Sequence, residues 1–285
     1  ESLIQQAALQ WRKLIFPVER GIMDAQSARI GFIGFGNMAG AMAKGLIEFA
    51  GVDGSRICAC AAHFDSLEKR CEPLGVRAFK SPAEVVENCD LVVISVKPHL
   101  VGDVLSPVSE ALREKAVVSV AAGLLFDFYE DLLGEGSRHL STIPNTPIAI
   151  GKGVVSCEER HSLAADEWET FVGLFSPIAL IEVLPGRLLS VASALAGCGP
   201  AFAAMFLEAL ADGGVKNGLP RQTAYRLAAQ MMAGTAELHL ATGTHPGAMK
   251  DAVCSPGGTT IKGVAALEDT GMRGAVMRAV DATLS

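Results

Sequence analysis

Nowhere among the 285 residues do two cysteines form a C-x-x-C pair, and the seven present (Cys58, Cys60, Cys71, Cys89, Cys157, Cys198, Cys254) are odd in number. That argues against a paired disulfide framework and leaves no zinc-ligand spacing, so the thiols read as buried and reduced. No metal site is expected, and the cytoplasm is the expected compartment. Charge is sparse too: 19% of residues are charged, the net charge is −7, and no run of Lys and Arg occurs. Such a chain lacks the clustered cations that phosphate backbones need, which excludes a nucleic-acid partner from the expectation. Half of the residues are hydrophobic, enough for a folded chain of two domains.

The uncharged stretch from Leu188 to Leu207 is long enough to span a bilayer. Its middle reads Gly197-Cys198-Gly199-Pro200, which predicts a break between two short helices buried at the centre of an oligomer. No membrane contact is therefore expected, with a span as the alternative. Residues 1–27 stand apart. Ile4, Ala8, Trp11, Ile15 and Val18 share a helical stripe that Pro17 and Gly21 cut short, and Met23 is the expected natural start. The segment before it is expected to be an extension outside the native fold. A processed transit peptide is the alternative, and Glu1 and Glu19 count against it.

The apolar run Ile30–Ile33 leads into Gly34-x-Gly36-Asn37-Met38-Ala39 and then a helix. Gly34 permits the tight turn, Gly36 lets a diphosphate approach the backbone, and Ala39 keeps helix and strand close. A second strand ends at Ala61-Ala62-His63, where an NAD site would place Asp or Glu. The uncharged tip favours NADPH, with His63 or Ser66 as donors to a 2′-phosphate; Asp65 keeps NADH as the alternative, and His63 can also be a plain loop residue.

Further strands are expected over Val76–Phe79, Leu91–Ser95 and Val117–Val120, then near Gly153–Cys157 and Ile178–Leu184. They alternate with helices, including one over Leu100–Arg113, and so predict a parallel sheet buried on both faces. Ligands of such a sheet lie at the carboxyl ends of the strands. There the sequence carries Val96-Lys97-Pro98, Ala121-Ala122-Gly123 and Pro144-Asn145-Thr146-Pro147, each readable alone as turn chemistry. After Pro185 only helical segments follow. The expected architecture is thus α/β plus all-α, with a Rossmann-type dinucleotide-binding domain over 28–184 and a helical substrate-binding and oligomerisation domain over 185–285.

The most informative stretch of that second half is Ser255-Pro256-Gly257-Gly258-Thr259-Thr260-Ile261. A glycine turn before a helix, with hydroxyls at the first helical positions, can hold a small carboxylate; it can equally be an ordinary helix cap.

Taken in order, the glycine-rich start, Val96-Lys97-Pro98, Pro144-Asn145-Thr146-Pro147, Ala196-Gly-Cys-Gly-Pro-Ala-Phe, Glu208-Ala-Leu-Ala-Asp-Gly-Gly and Ser255-Pro-Gly-Gly-Thr-Thr resemble pyrroline-5-carboxylate reductases from about Arg29 to Leu284. The resemblance implies NADPH-dependent reduction of 1-pyrroline-5-carboxylate to L-proline, by a homodimer repeated into a larger ring, a decamer. It implies that the turn with Ser255, Gly257, Gly258 and Thr259 receives the substrate carboxylate and that the Thr260 hydroxyl meets the ring nitrogen. Cys198 and Phe202 stand where the family often has Ser and Tyr, which puts a polar role for that loop in doubt. The other readings are an imine or hydroxy-acid oxidoreductase with Lys216, Lys250 or Lys262 as general base, and a non-catalytic NADP-binding protein.

Overall fold

The computed structural model describes residues 23–284; the helical stripe expected over residues 4–18 lies outside them. Residues 23–27, read from sequence as part of an extension, pack on the α/β half. The Met23 N–H donates to Asp166 at 3.1 Å, and Arg56 donates to the carbonyls of Ala25 and Ala28.

Eight strands form one sheet in the order β3-β2-β1-β4-β5-β6-β7-β8. They are β1 (Ile30–Ile33), β2 (Ile57–Cys60), β3 (Arg77–Phe79), β4 (Leu91–Ile94), β5 (Ala116–Ser119), β6 (Arg138–Pro144), β7 (Gly153–Glu158) and β8 (Ala179–Leu184). The first six pair in parallel. β1, β2, β4 and β5 are buried at every residue, as continuous apolar runs covered on both faces must be. Alternation divides them between two cores: Ile30 and Phe32 face Met42, Leu46 and Phe171, while Ile33 faces Val92, Leu105 and Tyr129.

The wrapping helices are α1 (Asn37–Glu48), α2 (Phe64–Cys71), α3 (Pro82–Glu87), α4 (Val101–Leu105), α5 (Ser109–Leu112), α6 (Phe126–Leu133) and α7 (Ala165–Phe175). Three of these features correct the sequence-based expectation. The helix expected over Leu100–Arg113 is split by a 3-10 turn at Ser106–Val108, because Pro107 has no N–H to continue the ladder. The helix α6 is additional. And β7 runs antiparallel to β6, since only the 3-10 turn Thr146–Ile150 joins them and a parallel pair needs a longer crossover.

Beyond β8 the chain is helical: α8 (Leu189–Ala192), α9 (Gly199–Lys216), α10 (Arg221–Thr242), α11 (Pro246–Ala252), α12 (Thr259–Asp269) and α13 (Met272–Asp281). The break expected at Gly197-Cys-Gly-Pro is instead a π turn over Ser193–Gly197. The Cys198 N–H donates to the Ser193 carbonyl at 3.0 Å, five residues back, just before Pro200 withholds its own donor. Gly186–Lys216 is consequently one helix long and apolar enough, by length and composition, to cross a membrane. Little of this half is buried within one chain: Leu189, Ala194, Ala211, Ala224 and Ala228 are its buried apolar residues, whereas Leu195, Met205 and Leu240 are exposed by 68%, 70% and 75%.

Candidate functional site

Hydrogen bonds at the carboxyl ends of the strands set the floor of the site. The Gly34 N–H donates to the Cys60 carbonyl at 2.9 Å, Ser95 to Ile33 at 2.8 Å, and Val120 to Ile94 at 2.9 Å. Strand order reverses between β1 and β4, and an open crevice of about 730 Å³ lies there. Gly34, Phe35, Gly36, Asn37 and Met38 form one wall, and Ala61, Ala62, His63, Ser66 and Arg70 another. Ser95, Val96, Lys97, Pro98, Ala121, Ala122 and Thr146 close the remaining side.

The glycine turn has the shape that a diphosphate requires. Gly34 has φ +91°, and a Cβ there would stand 2.6 Å from the Ser95 carbonyl oxygen. Gly36, by contrast, has open space where a Cβ would go. It caps α1 without any side-chain hydrogen bond, and the first helical bond is made by the Gly40 N–H to the Gly36 carbonyl at 3.0 Å. The N–H groups of Asn37, Met38 and Ala39 are thus left for a ligand at the positive end of the helix dipole.

Most of the sequence-predicted cofactor residues meet in this crevice. Three do not line it. Ala39 is fully buried in the core beneath α1, where it holds helix and strand close. Gly123 sits beyond the lining with φ +81°. Asn145 is buried with its amide committed: Nδ2 donates to the Ala196 carbonyl at 3.0 Å and Oδ1 accepts from the Val154 N–H at 2.8 Å. It therefore ties the sheet to the π turn. The residue that the sequence reading missed is Arg70, whose Nη1 donates to the Phe35 carbonyl at 3.2 Å. Its spacing of four from Ser66 on α2 was the available signal.

No carboxylate lines the crevice among the described residues. The last residue of β2 is Cys60, whose thiol burial pushes up to about 11, so it stays neutral.

The second element is the turn Ser255–Thr260. Gly257 has φ +69°, and the Gly258 N–H donates to the Ser255 carbonyl at 3.0 Å. A Cβ on Gly258 would come within 2.5 Å of Ser255 Oγ and 3.1 Å of the Ser255 carbonyl oxygen, so the turn is tightly closed there. Gly258 is the N-cap of α12 with no side-chain capping bond. Thr259 and Thr260 occupy the first helical positions, both exposed. Neither hydroxyl has a hydrogen-bond partner among the described residues. The turn is therefore not a threonine cap; it presents free N–H groups and free hydroxyls together. Within one chain it lies apart from the crevice, none of whose lining residues comes from it.

Of the lysines weighed as a general base, Lys250 pairs with Asp251, which raises its pKa above the ordinary lysine value. A general base needs the opposite shift.

The turn, the crevice and the helical half are matched together in known proteins. Residues 187–285 match the family model described as pyrroline-5-carboxylate reductase dimerisation, and residues 29–123 one described as NADP oxidoreductase, coenzyme F420-dependent. The chain is 42% identical over 260 residues to the pyrroline-5-carboxylate reductase of Treponema pallidum, covering 90% of this chain and 98% of that one. It belongs to the pyrroline-5-carboxylate reductase family. Another such reductase, from Escherichia coli K12, is 36% identical over 88% of this chain and 94% of its own length. The crystal structure of Plasmodium falciparum pyrroline carboxylate reductase with NADP bound superposes with a TM-score of 0.81 at 28% identity, covering 90% and 96% of the two chains. The fold is accordingly that of the family: an NADP-binding Rossmann-like unit followed by a helical dimerisation unit.

Proposed function

We propose that this chain reduces the C=N bond of 1-pyrroline-5-carboxylate to give L-proline, using NADPH. The observation that carries the reading is the pair of uncapped helix starts, one at Gly36 in a crevice without carboxylates and one at Gly258 beside two free threonine hydroxyls. The first suits a diphosphate and the second a small carboxylate. Consumption of NADPH on addition of 1-pyrroline-5-carboxylate, with L-proline as product, tests it. Cofactor binding without turnover would leave a binding protein instead.

The dinucleotide supplies the hydride. This chain's residues hold and orient the reactants. The N–H groups of Asn37 and Met38 take the diphosphate, with Gly34 and Gly36 giving it room. Val96, Lys97, Pro98, Ala121 and Ala122 flank the nicotinamide half. Ser255, Gly257, Gly258 and Thr259 receive the substrate carboxylate, and the Thr260 hydroxyl hydrogen-bonds the ring nitrogen. The turn Ser255–Thr260 carries no acidic or basic side chain, and positioning an electrophilic imine can itself supply much of the acceleration.

The units of this function are 28–184 for the dinucleotide and 185–285 for substrate and assembly. The second unit has too few buried residues to stand alone, and its exposed Leu195, Met205, Leu227, Met231 and Leu240 need a cover. A second copy of the chain is that cover, in place of lipid, and it brings the turn Ser255–Thr260 of one subunit to a crevice that lacks it in the other. A ring of such dimers, a decamer, is the larger assembly that the resemblance implies. Light scattering at micromolar concentration is expected to show a dimer or a multiple of it; a monomer would remove this account. Seven free cysteines, five of them buried, accord with a cytoplasmic setting.

Cofactor choice gives a second test. With no carboxylate at the end of β2, kcat/KM is expected to favour NADPH over NADH. Ala62→Asp is expected to shift the ratio toward NADH, because its carboxylate would repel a 2′-phosphate and accept from a 2′-hydroxyl. An NADH preference in the unaltered enzyme would overturn the assignment.

A further inference from the structure

The chain has a net charge of −7, yet the side chains lining the crevice include two basic ones, Arg70 and Lys97, and no carboxylate among the described residues. The two come from different walls, Lys97 from beyond β4 and Arg70 from α2 beyond β2. Counted from His63, the N-cap of α2, Ser66 and Arg70 follow at spacings of three and four, and all three line one wall. Arg70 is exposed and has no carboxylate partner among the described residues. Its bond to the Phe35 carbonyl uses one guanidinium N–H and leaves the others of the fork free. The same bond anchors the guanidinium to the middle residue of Gly34-Phe35-Gly36, so the charge is held beside the glycine turn.

In a dinucleotide fold the adenosine ribose lies against the end of the second strand, where a carboxylate holds a 2′-hydroxyl and a nearby arginine accommodates a 2′-phosphate. Here that strand end is Ala61-Ala62, with the neutral Cys60 thiol beneath it. We propose that Arg70, assisted by the Ser66 hydroxyl, is the specificity-determining group that takes the 2′-phosphate of NADPH. This rests on the cofactor reading above and assigns it to a residue outside the glycine motif. The planar fork suits a phosphate and gains little from the ribose hydroxyl of NADH.

The test compares adenosine 2′,5′-bisphosphate with adenosine 5′-monophosphate, which differ only in the 2′-phosphate. Affinities are measured by calorimetry for the unaltered chain, Arg70→Gln and Arg70→Lys, with thermal melting to confirm folding. Removing one charge-assisted contact should weaken the bisphosphate by ~10–100-fold. The monophosphate should bind unchanged, and Arg70→Lys should fall between. In turnover, the same loss should appear in kcat/KM for NADPH and not for NADH. Equal weakening of both nucleotides would overturn the proposal, since Arg70 would then grip the 5′-phosphate or only prop Phe35. Unchanged bisphosphate binding in Arg70→Gln would overturn it as well. An unaltered chain that shows no preference for the bisphosphate would instead remove the cofactor reading itself, and this assignment with it.

Discussion

Gly36→Val is expected to leave the fold standing while cofactor affinity falls on the order of 100-fold, the scale of losing one or two charge-assisted N–H contacts. A Cβ at Gly36 meets no protein atom within 4 Å, and the backbone there, at φ −85°, is one that any residue adopts. Nothing in the unliganded protein crowds the valine Cβ. What it fills is the space through which a diphosphate would approach the N–H groups of Asn37 and Met38. Gly34→Ala makes the opposite expectation two residues earlier. Its φ of +91° is strained for an L residue, and its Cβ would press on the Ser95 carbonyl at 2.6 Å. That variant should lose stability, by ~1–3 kcal/mol, before any question of binding arises. Thermal melts and NADPH titrations on both variants separate the two roles. If Gly36→Val binds NADPH as the unaltered chain does, the diphosphate does not lie over this turn.

Legibility followed how local the cause was. The strands β1, β2, β4 and β5 were visible because each is an apolar run buried on both faces. The glycine turn was visible because φ and close approach demand glycine in fixed order. Helix α6 was not, because its start is capped from far along the chain: Glu158 Oε2 accepts the Phe126 N–H at 2.8 Å. Strand β6 carries buried polar residues satisfied by remote partners, with Thr142 donating to the Ser119 carbonyl at 2.8 Å and His139 3.1 Å from Glu130. Its carboxyl end was marked by Pro144-Asn145-Thr146-Pro147, but no alternation announces the body of a strand built that way. Asn145 was read as a ligand-side residue because it ends a strand, yet both ends of its amide are used in joining β6, β7 and the π turn. Arg70 escaped notice for the converse reason. It lies two helical turns past the strand tip, and only the fold brings it back over Phe35.

Thr260→Ala carries the second large effect, expected in kcat with almost none in stability. The structure sharpens this separation, because the N-cap of α12 is Gly258 and the Thr260 hydroxyl makes no capping bond. An exposed residue of that kind changes stability by no more than about 0.5 kcal/mol, and alanine is the better helix former. The side chain therefore has little structural work to lose. Its hydroxyl stands beside N–H groups that suit the substrate carboxylate, where it can bond the ring nitrogen. That nitrogen gains electron density as the C=N bond is reduced, so the bond strengthens toward the transition state, and only such strengthening raises kcat. A fall in kcat of ~10-fold or more is expected for Thr260→Ala. Thr259→Ala should mainly raise KM, since its proposed partner is a carboxylate whose charge does not change during the reaction. Both variants should be assayed with NADPH saturating, alongside thermal melts and light scattering, because the proposed assembly completes the turn's site across a subunit contact. If Thr260→Ala keeps full kcat while the dimer and melting temperature are unchanged, the hydroxyl has no part in the chemistry. The nitrogen must then draw its proton from solvent, and the turn serves the carboxylate alone.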